Sequence, residues 1–238
     1  MIDVVLFLCL IAVVIFFGIR NHRFMERELA ARSDAHQSEP DPSPSPDLIK
    51  SILVIDVETG GLDPRENPLL EVAILPLDGL DEGYERRWRG VHLPSHPKAL
   101  EVNGLDPRKG WVPLKATRDL NHYLQHLAKK RGIDRFILAG MNPRFDLDFL
   151  RENLTGYGYP CAFSHRTLDM HTLVAGCSLA QGVDIDHLTT DEIYRRLGLP
   201  EEPRPHSAMR GALWERRAFR KLLPWFFDDA GEMLRKRN

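Results

Sequence analysis

After residue 50, short apolar runs alternate with longer amphipathic stretches, a pattern typical of a chain that forms both strands and helices. Short apolar runs predict strands at 51–57, 69–77 and 135–140, alternation of side chains predicts a strand at 84–93, and a fifth short strand is expected near 163–168. Helical spacing of apolar positions predicts helices at 113–132, 144–154, 169–180, 189–197 and 207–222. Three strands followed by alternating helices and strands predict an α/β fold in which helices flank a mixed sheet.

The N-terminus has a different pattern, because residues 4–19, VVLFLCLIAVVIFFGI, are almost uniformly apolar and uncharged. A helix of this length measures about 24 Å, slightly less than a hydrocarbon core of roughly 30 Å, and snorkelling of Arg20 and Arg23 can absorb the deficit. We therefore predict one transmembrane helix. A cleaved signal peptide, whose basic n-region and cleavage site are missing, and a buried core helix are the alternatives. Because arginines follow the run and Asp3 precedes it, the positive-inside rule predicts a single-pass protein with its domain in the cytoplasm.

Changes of composition divide the chain further. Residues 1–31 are expected to contain the anchor and a juxtamembrane helix, and residues 32–49, rich in Pro, Ser and acidic side chains, to form a disordered linker. The globular domain is expected to span 50–225, with a C-terminal tail at 226–238.

Charge and cysteine content narrow the classes of function. Lys and Arg number 32 and Asp and Glu 34, so the net charge of -2 argues against sequence-independent coating of nucleic acid, which depends on a strong positive excess. Cys9, Cys161 and Cys177 contain no CxxC pair, which argues against both a disulfide framework and a structural zinc site.

Two acidic motifs stand where predicted strands end. Asp56 and Glu58 lie two residues apart in IDVETGGL, so a strand directs both carboxylates to one face. Asp146 lies in NPRFDLDFL beside Phe145, whereas Asp148 is expected to face water. Such acids are costly near a core unless cations neutralise them, and hard oxygen ligands suit Mg²⁺ or Mn²⁺. The alternatives are a strand end that turns into solvent and, for Asp146, an acid that favours the helix dipole.

A histidine opens the last predicted helix. His206 stands in PHSAMRGA, where an imidazole can lean over a neighbouring site, and histidine side chains suit the removal of a proton from water. The alternative is a surface histidine with Ser207 as the helix N-cap. Another histidine–acid pair, in HLTTD at 187–191, is interpreted as a helix entry capped by Thr189 or Thr190.

In this order and spacing the three motifs resemble the DEDDh 3'-5' exonucleases, the DnaQ-like superfamily with an RNase H-like fold. The superfamily pattern is a DxE strand, an N-x-x-[FY]-D helix start and H-x-A-x-x-D. The resemblance spans about residues 50–225 and includes ALEVNGLDP (99–107) and TLDMHTL (167–173). Within the superfamily, DVETGGL and PHSA look closest to ribonuclease T and to the proofreading exonuclease subunits of bacterial replicases. The resemblance implies an RNase H-like, mixed five-stranded sheet flanked by helices.

The resemblance also implies a two-metal phosphodiesterase that acts at the 3' end of single-stranded DNA or RNA. Asp56, Glu58 and Asp146 would hold two Mg²⁺ or Mn²⁺ ions, and His206 would take a proton from water whose pKa one ion lowers. The resemblance implies that the terminal nucleotide is bound by Thr59, Gly60, Leu62, Asn142 and Phe145. Leu62 would wedge against the terminal base. Ribonuclease T-like relatives often pair, which implies a homodimer.

One motif position departs from the family pattern, because Gly211 stands five residues after His206, where the family has aspartate. Three carboxylates neutralise two divalent ions less well than four, so we expect one ion to bind weakly, and the positive charge of Arg210 adds to this effect. Glu215, one helical turn further on, is a candidate substitute. On this interpretation Gly211→Asp should accelerate the reaction.

Two functions remain open at this point. The first is a membrane-anchored, metal-dependent 3'-5' exonuclease whose activity Gly211 impairs. The second is a catalytically inactive pseudo-exonuclease, a membrane-anchored module that binds nucleic acid or protein. A plain membrane adaptor leaves the motif acids and His206 unexplained. We favour the enzyme, because only one residue of the three motifs is missing.

Overall fold

The structure, a computed structural model, describes residues 49–180, 182–203 and 205–223. The predicted transmembrane segment, the linker before residue 49 and the C-terminal tail lie outside these ranges. Within them, no helix combines the length and apolar character that crossing a bilayer requires. Ile49, which the sequence places in the linker, is buried in the core, so the folded domain includes this residue.

One mixed sheet forms the centre of the described domain. Its strands are β1 (Ile52–Thr59), β2 (Leu69–Pro76), β3 (Tyr84–Arg87), β4 (Phe136–Gly140) and β5 (Phe163–Asp169). The order across the sheet is β3-β2-β1-β4-β5. β2 is antiparallel to both β1 and β3, whereas β4 is parallel to both β1 and β5. The prediction of a mixed five-stranded sheet is confirmed.

Helices cover both faces of the sheet. The helices among the described residues are α1 (Pro97–Asn103), α2 (Pro113–Arg131), α3 (Pro143–Gly156), α4 (Met170–Ala180), α5 (Thr190–Arg196) and α6 (Ala208–Leu222). The first three begin with proline, whose missing N–H costs nothing in the first turn. The predicted entry of α5 is confirmed, because Thr189 is its N-cap and accepts the Glu192 N–H through its hydroxyl oxygen at 3.3 Å.

Two elements differ from their predictions. Strand β3 ends at Arg87 instead of running to residue 93. Trp88 still donates its N–H to the Leu70 carbonyl at 2.7 Å but forms only an isolated bridge, to Trp111, and the chain then leaves the sheet. Helix α1 was not predicted at all. It is short and largely exposed, with Asn103 as its only buried residue, so its sequence carries no apolar periodicity that would reveal it.

The sheet separates two apolar clusters, and this arrangement decides where the acids of β1 lie. Leu53, Ile55 and Val57 pack with α2 and α3 on one face. Ile52 and Val54 pack with α4, α5 and α6 on the other. Since side chains alternate along a strand, Asp56 and Glu58 lie on the same face as Ile52 and Val54, which is the face that α6 covers.

Candidate active site

Asp56 and Glu58 occupy the end of β1, and both are partly buried. The antiparallel register puts Ala73 opposite Asp56 and Glu71 opposite Glu58, so the second pair brings two like charges together. Burial raises the pKa of Glu58 to about 7, the charges of Glu71 and Glu202 add to this rise, and a hydrogen bond from the Asn103 side chain opposes it. Glu58 therefore lies in a strongly acidic environment.

Glu71, which the sequence analysis did not single out, links the sheet to the start of α6. Its side chain is buried, and its Oε1 accepts a hydrogen bond from the Arg87 guanidinium at 3.1 Å. Its Oε2 accepts the Ala208 N–H at 3.0 Å. Because Ala208 is the first residue of α6, this hydrogen bond holds the helix start beside the strand pair that contains Glu58, and His206 lies two residues before it. Only the cross-strand register opposite Glu58 could have revealed this role.

Asp146 lies in the first turn of α3 and is buried, with 5% of its surface exposed. The turn before it contains Asn142, whose φ of 53° is the only positive value outside glycine among the described residues, and whose N–H donates to Asp169 Oδ1 at 3.1 Å. Burial raises the pKa of Asp146 to about 8, although hydrogen bonds from its own backbone and that of Val57 oppose the rise, and the charge of Glu58 adds to it.

Asp148 faces solvent, as predicted. Its carboxylate pairs with Arg144 at 3.1 Å and with Arg151 at 3.2 Å on the outer surface of α3. Two acids that stand two residues apart on one helix therefore have opposite environments, which makes Asp148 a natural control for Asp146.

His206 lies at the end of the loop before α6 and pairs with a second residue that the sequence analysis overlooked. Its Nδ1 lies 3.4 Å from Glu202 Oε2, and the Glu202 side chain is 9% exposed. The guanidinium of Arg210 donates to the carbonyls of Pro203 at 3.0 Å and Pro205 at 2.9 Å, which ties the loop to the helix. Burial raises the pKa of Glu202, while His206 and Arg210 lower it. Arg210 thus stabilises the loop through these two carbonyls, a role that its position in the motif did not suggest.

Gly211 packs directly against Asp56. A Cβ added at position 211 would overlap Oδ2 and Cγ of Asp56 and would lie 3.4 Å from its Cβ. The space in which the family aspartate would begin is therefore filled by the Asp56 carboxylate. This contact reverses the expectation that Gly211→Asp accelerates the reaction, because the new side chain would displace Asp56.

Glu215 is buried one turn further along α6, with 5% of its surface exposed. Its Oε1 accepts the Met141 N–H at 2.9 Å, and its Oε2 has no hydrogen-bond partner among the described residues. Burial, followed by the charge of Asp146, raises its pKa well above the ordinary range. The pKa of Asp56 is also raised, by burial first and then by Glu215 and Asp146. The three carboxylates therefore lie close enough to repel one another.

The residues that the family resemblance assigns to nucleotide binding on the loop after β1 differ in how exposed they are to a ligand. The Thr59 hydroxyl donates to the Gly61 carbonyl at 2.6 Å. The N–H of Gly60 donates to the Pro68 carbonyl at 2.8 Å, and its carbonyl accepts the His96 N–H at 2.7 Å. Leu62, by contrast, is 84% exposed beside this loop. The contacts made by Thr59 and Gly60 shape the loop, and Leu62 is free to meet a ligand.

Phe145 and Asn142 stand on the other side of the site, at the start of α3. The Phe145 ring packs on Phe149 with centroids 4.9 Å apart, which anchors it to the core. Asn142 is exposed at the helix N-cap and makes no side-chain capping hydrogen bond there. Their roles toward a nucleotide stay predictions.

The acids form a donor set that suits a hard divalent cation. Among the described residues, no three His, Cys, Asp or Glu side chains converge into a ready-made ligand cage. The charges that raise the pKa of Asp56 come from Glu215, Asp146, Glu58 and Glu202. Carboxylate oxygens are the ligands that Mg²⁺ and Mn²⁺ prefer, and Glu215 Oε2 has no hydrogen-bond partner among the described residues, so the chemistry of this donor set fits the implied ions.

Comparison with known proteins gives relatives of one kind. No family model matches the chain. Ribonuclease T of Wigglesworthia glossinidia brevipalpis is 31% identical over 145 residues, covering 55% of this chain and 67% of the relative. Ribonuclease T of Yersinia pestis is 30% identical over 112 residues, covering 41% of this chain and 51% of the relative. This chain thus spans about two thirds of the first relative and about half of the second.

The fold has solved counterparts. Exonuclease I of E. coli, in complex with a dT13 oligonucleotide, superposes with a TM-score of 0.59 at 17% identity, covering 74% of this chain and 42% of that protein. The sheet and its helices therefore define the class as an exonuclease-like α/β protein. The chain belongs to the DEDDh, or DnaQ-like, 3'-5' exonuclease superfamily of hydrolases, within which it is similar to ribonuclease T.

Proposed function

We propose that this protein is a metal-dependent 3'-5' exonuclease that removes nucleotides from single-stranded 3' ends. Asp56, Glu58 and Asp146 supply metal-binding carboxylates, and His206 acts as the general base. The observation that supports the proposal is that Glu71, which pairs across the sheet with Glu58, accepts the Ala208 N–H and so brings the start of α6, two residues after His206, to the acidic end of β1.

The side chains divide the chemistry among themselves. His206 presents Nδ1 to Glu202 at 3.4 Å, which leaves Nε2 to accept a proton from the attacking water. Asp56, Glu58 and Asp146 would hold the cations, which would lower the pKa of water and stabilise charge on the leaving 3'-oxygen. Leu62, 84% exposed, would pack on the terminal base, with Phe145 and Asn142 opposite.

Digestion of labelled strands tests the proposal directly. Purified full-length protein should shorten a 5'-labelled single-stranded oligonucleotide from its 3' end in Mg²⁺ or Mn²⁺, and EDTA should stop the reaction. Asp146→Asn should lower the rate by about 100-fold or more, because it removes a carboxylate from the site. Asp148→Asn, two residues away and paired with surface arginines, should retain the rate.

Three results would contradict the proposal. They are equal loss in both variants, activity that survives Asp146→Asn, and a folded wild-type protein that binds the strand without shortening it. The last result would favour the pseudo-exonuclease, a module that binds nucleic acid or protein without cutting.

The same assay addresses the choice between DNA and RNA. The curated relatives carry the name ribonuclease T, and the superposed exonuclease I was solved with a DNA oligonucleotide. We propose that the terminal nucleotide is recognised mainly through its base and phosphates. On this proposal, DNA and RNA strands of one sequence are shortened at rates within about tenfold of each other. A larger difference would indicate contacts to the 2'-hydroxyl group.

We further propose that residues 4–19 anchor the protein in a membrane, with the domain on the cytoplasmic side. The support is the uncharged apolar run and the arginines that follow it. Full-length protein should stay in the membrane fraction after carbonate washing, and deletion of residues 1–31 should release it. Release of the intact chain by carbonate would contradict the anchor, and a processed N-terminus would indicate a signal peptide. The homodimer also stays a prediction, which sedimentation of the detergent-solubilised protein would test.

A further inference from the structure

The strongest unexplained feature of the site is a buried carboxylate that the family pattern does not contain. We infer that Glu215 replaces the aspartate missing at position 211 and binds a metal ion together with Asp56 and Asp146. This inference rests on the exonuclease function proposed above and concerns how the chain keeps four carboxylates despite Gly211.

The first step of the argument is the contact between α6 and β1. Gly211 has no side chain, and the Asp56 carboxylate occupies the space that one would fill. An aspartate at this position and Asp56 in its present conformation are mutually exclusive. The helix therefore approaches β1 closely at Gly211, and with Asp56 in this conformation a fourth carboxylate comes from another position.

The second step is the space that admits Glu215. Gly140 ends β4, and a Cβ there would lie 2.9 Å from Glu215 Oε2 and 2.9 Å from the Ile55 carbonyl oxygen. Both values are too short for a real side chain, so only glycine lets the Glu215 carboxylate reach the end of β4. Two glycines thus permit the rearrangement, Gly211 for Asp56 and Gly140 for Glu215.

The third step is the state of the two carboxylate oxygens. Oε1 is held by the Met141 N–H at 2.9 Å, which fixes the direction of the side chain. Oε2 is buried and lacks a hydrogen-bond partner among the described residues. A buried oxygen in this position costs free energy unless a donor or a cation satisfies it. In metal sites, a carboxylate that binds the ion is typically oriented by a hydrogen bond to its other oxygen, as the Met141 N–H orients Glu215 here.

The fourth step identifies a cation as the missing partner. A Cβ built on Gly140 would lie 2.9 Å from both Glu215 Oε2 and the Ile55 carbonyl oxygen, so the Glu215 carboxylate lies beside the residue that precedes Asp56. A divalent cation bound between Glu215, Asp56 and Asp146 would satisfy Oε2 and neutralise the three carboxylates. The site would then have four carboxylates, with Glu58 as the fourth.

Binding of Mn²⁺ alone, without nucleic acid, tests the inference. Full-length protein in detergent is titrated with Mn²⁺, and the free ion is followed by its paramagnetic resonance signal. Glu215→Gln keeps an oxygen for the Met141 N–H and preserves volume, yet removes the charge. It should weaken Mn²⁺ binding by about tenfold or more. The matched control is Glu192→Gln, which removes a partly exposed acid paired with Arg195 and Arg196 and should bind Mn²⁺ like wild type.

The outcomes separate this inference from the proposed function. If wild type binds Mn²⁺ and shortens oligonucleotides while Glu215→Gln binds Mn²⁺ equally well, the inference is wrong and the exonuclease proposal stands. If wild type neither binds Mn²⁺ nor shortens oligonucleotides, both are wrong. Thermal unfolding without metal checks that Glu215→Gln is folded. Should it unfold, Glu215→Asp, which keeps the charge but shortens the side chain by one methylene, must also weaken Mn²⁺ binding, and unchanged binding would overturn the inference.

Discussion

At the scale of single residues, position 211 gives the site its particular geometry. Gly211 lets the Asp56 carboxylate lie against α6, so an aspartate restored at this position would have to displace Asp56. We predict that Gly211→Asp and Gly211→Ala both destabilise the protein, by about 1–3 kcal/mol, because each introduces a Cβ into filled space. Neither should accelerate nucleotide removal. Urea unfolding and the oligonucleotide assay measure the two effects.

Gly176 provides the control for this prediction, because a Cβ built there meets nothing within 4 Å. Gly176→Ala should therefore leave the folded state unstrained and the rate unchanged. A faster Gly211→Asp variant would show that Asp56 moves aside easily and that the vacant motif position limits the wild-type rate.

Glu202 gives a second prediction at this scale. Its carboxylate lies 3.4 Å from His206 Nδ1, where it orients the ring. Glu202→Gln should lower kcat by about tenfold, less than the roughly 10²–10⁴ supplied by a general base itself, with KM for the oligonucleotide unchanged. Steady-state kinetics with the labelled oligonucleotide measure both constants.

Glu201→Gln is the matched control for Glu202→Gln, since Glu201 is exposed beside it on the same loop. Unchanged kcat in Glu202→Gln would contradict an orienting role, and the same fall in both variants would assign Glu202 a purely structural one. KM makes the distinction, because a loop that merely loses order would weaken oligonucleotide binding as well as lower kcat.

At the scale of elements, Glu71 couples the sheet to α6. We predict that Glu71→Ala lowers the free energy of unfolding by about 1–3 kcal/mol, because it leaves the buried Ala208 N–H without an acceptor. Relief of the repulsion between Glu71 and Glu58 offsets part of this loss. Glu71→Gln keeps an amide oxygen and should cost less than Glu71→Ala. Urea denaturation measures all three proteins.

Glu85→Ala serves as the comparison for Glu71→Ala, because Glu85 lies exposed on the neighbouring strand β3. If the alanine variants at 71 and 85 lose equal stability, the hydrogen bond to α6 does not hold the helix start. In that case His206 must owe its position to the loop that carries Glu202.

The same elements show which features the amino-acid sequence predicts and which depend on tertiary packing that the sequence does not reveal. Strand β1 follows from its continuous apolar run, because it is buried on both faces, and helix α2 follows from helical periodicity, because it buries one face. The acids of the motifs were found because each lies within a short local pattern. Glu71 and Glu202 were missed, since one depends on cross-strand register and the other on how a loop folds over the sheet. The direction of Glu215 was equally hidden, because it depends on the close approach of α6 at Gly211.

At the scale of the whole molecule, the buried acids make stability depend on pH and on metal. Burial raises the pKa of Glu58 to about 7 and that of Asp146 to about 8, so the folded protein holds protons that the unfolded chain releases at lower pH. An acid with a raised pKa contributes its full stability below its ordinary pKa and loses it as pH rises through the folded value. The metal-free protein should therefore become less stable from about pH 5 to about pH 8, with part of this loss carried by Asp146.

Thermal unfolding in EDTA across this range measures the effect, and Asp146→Asn is the variant that isolates it. Because asparagine does not titrate, the Tm of Asp146→Asn should fall less steeply with pH than that of wild type. Mg²⁺ or Mn²⁺ should restore stability chiefly at the alkaline end, where ionised carboxylates bind the cation and the bound ion stabilises only the native state. Equal slopes for the two proteins would mean that Asp146 ionises in the folded state as easily as in the unfolded chain. The acids would then be well solvated, and the physical basis for a cation-dependent site would be lost.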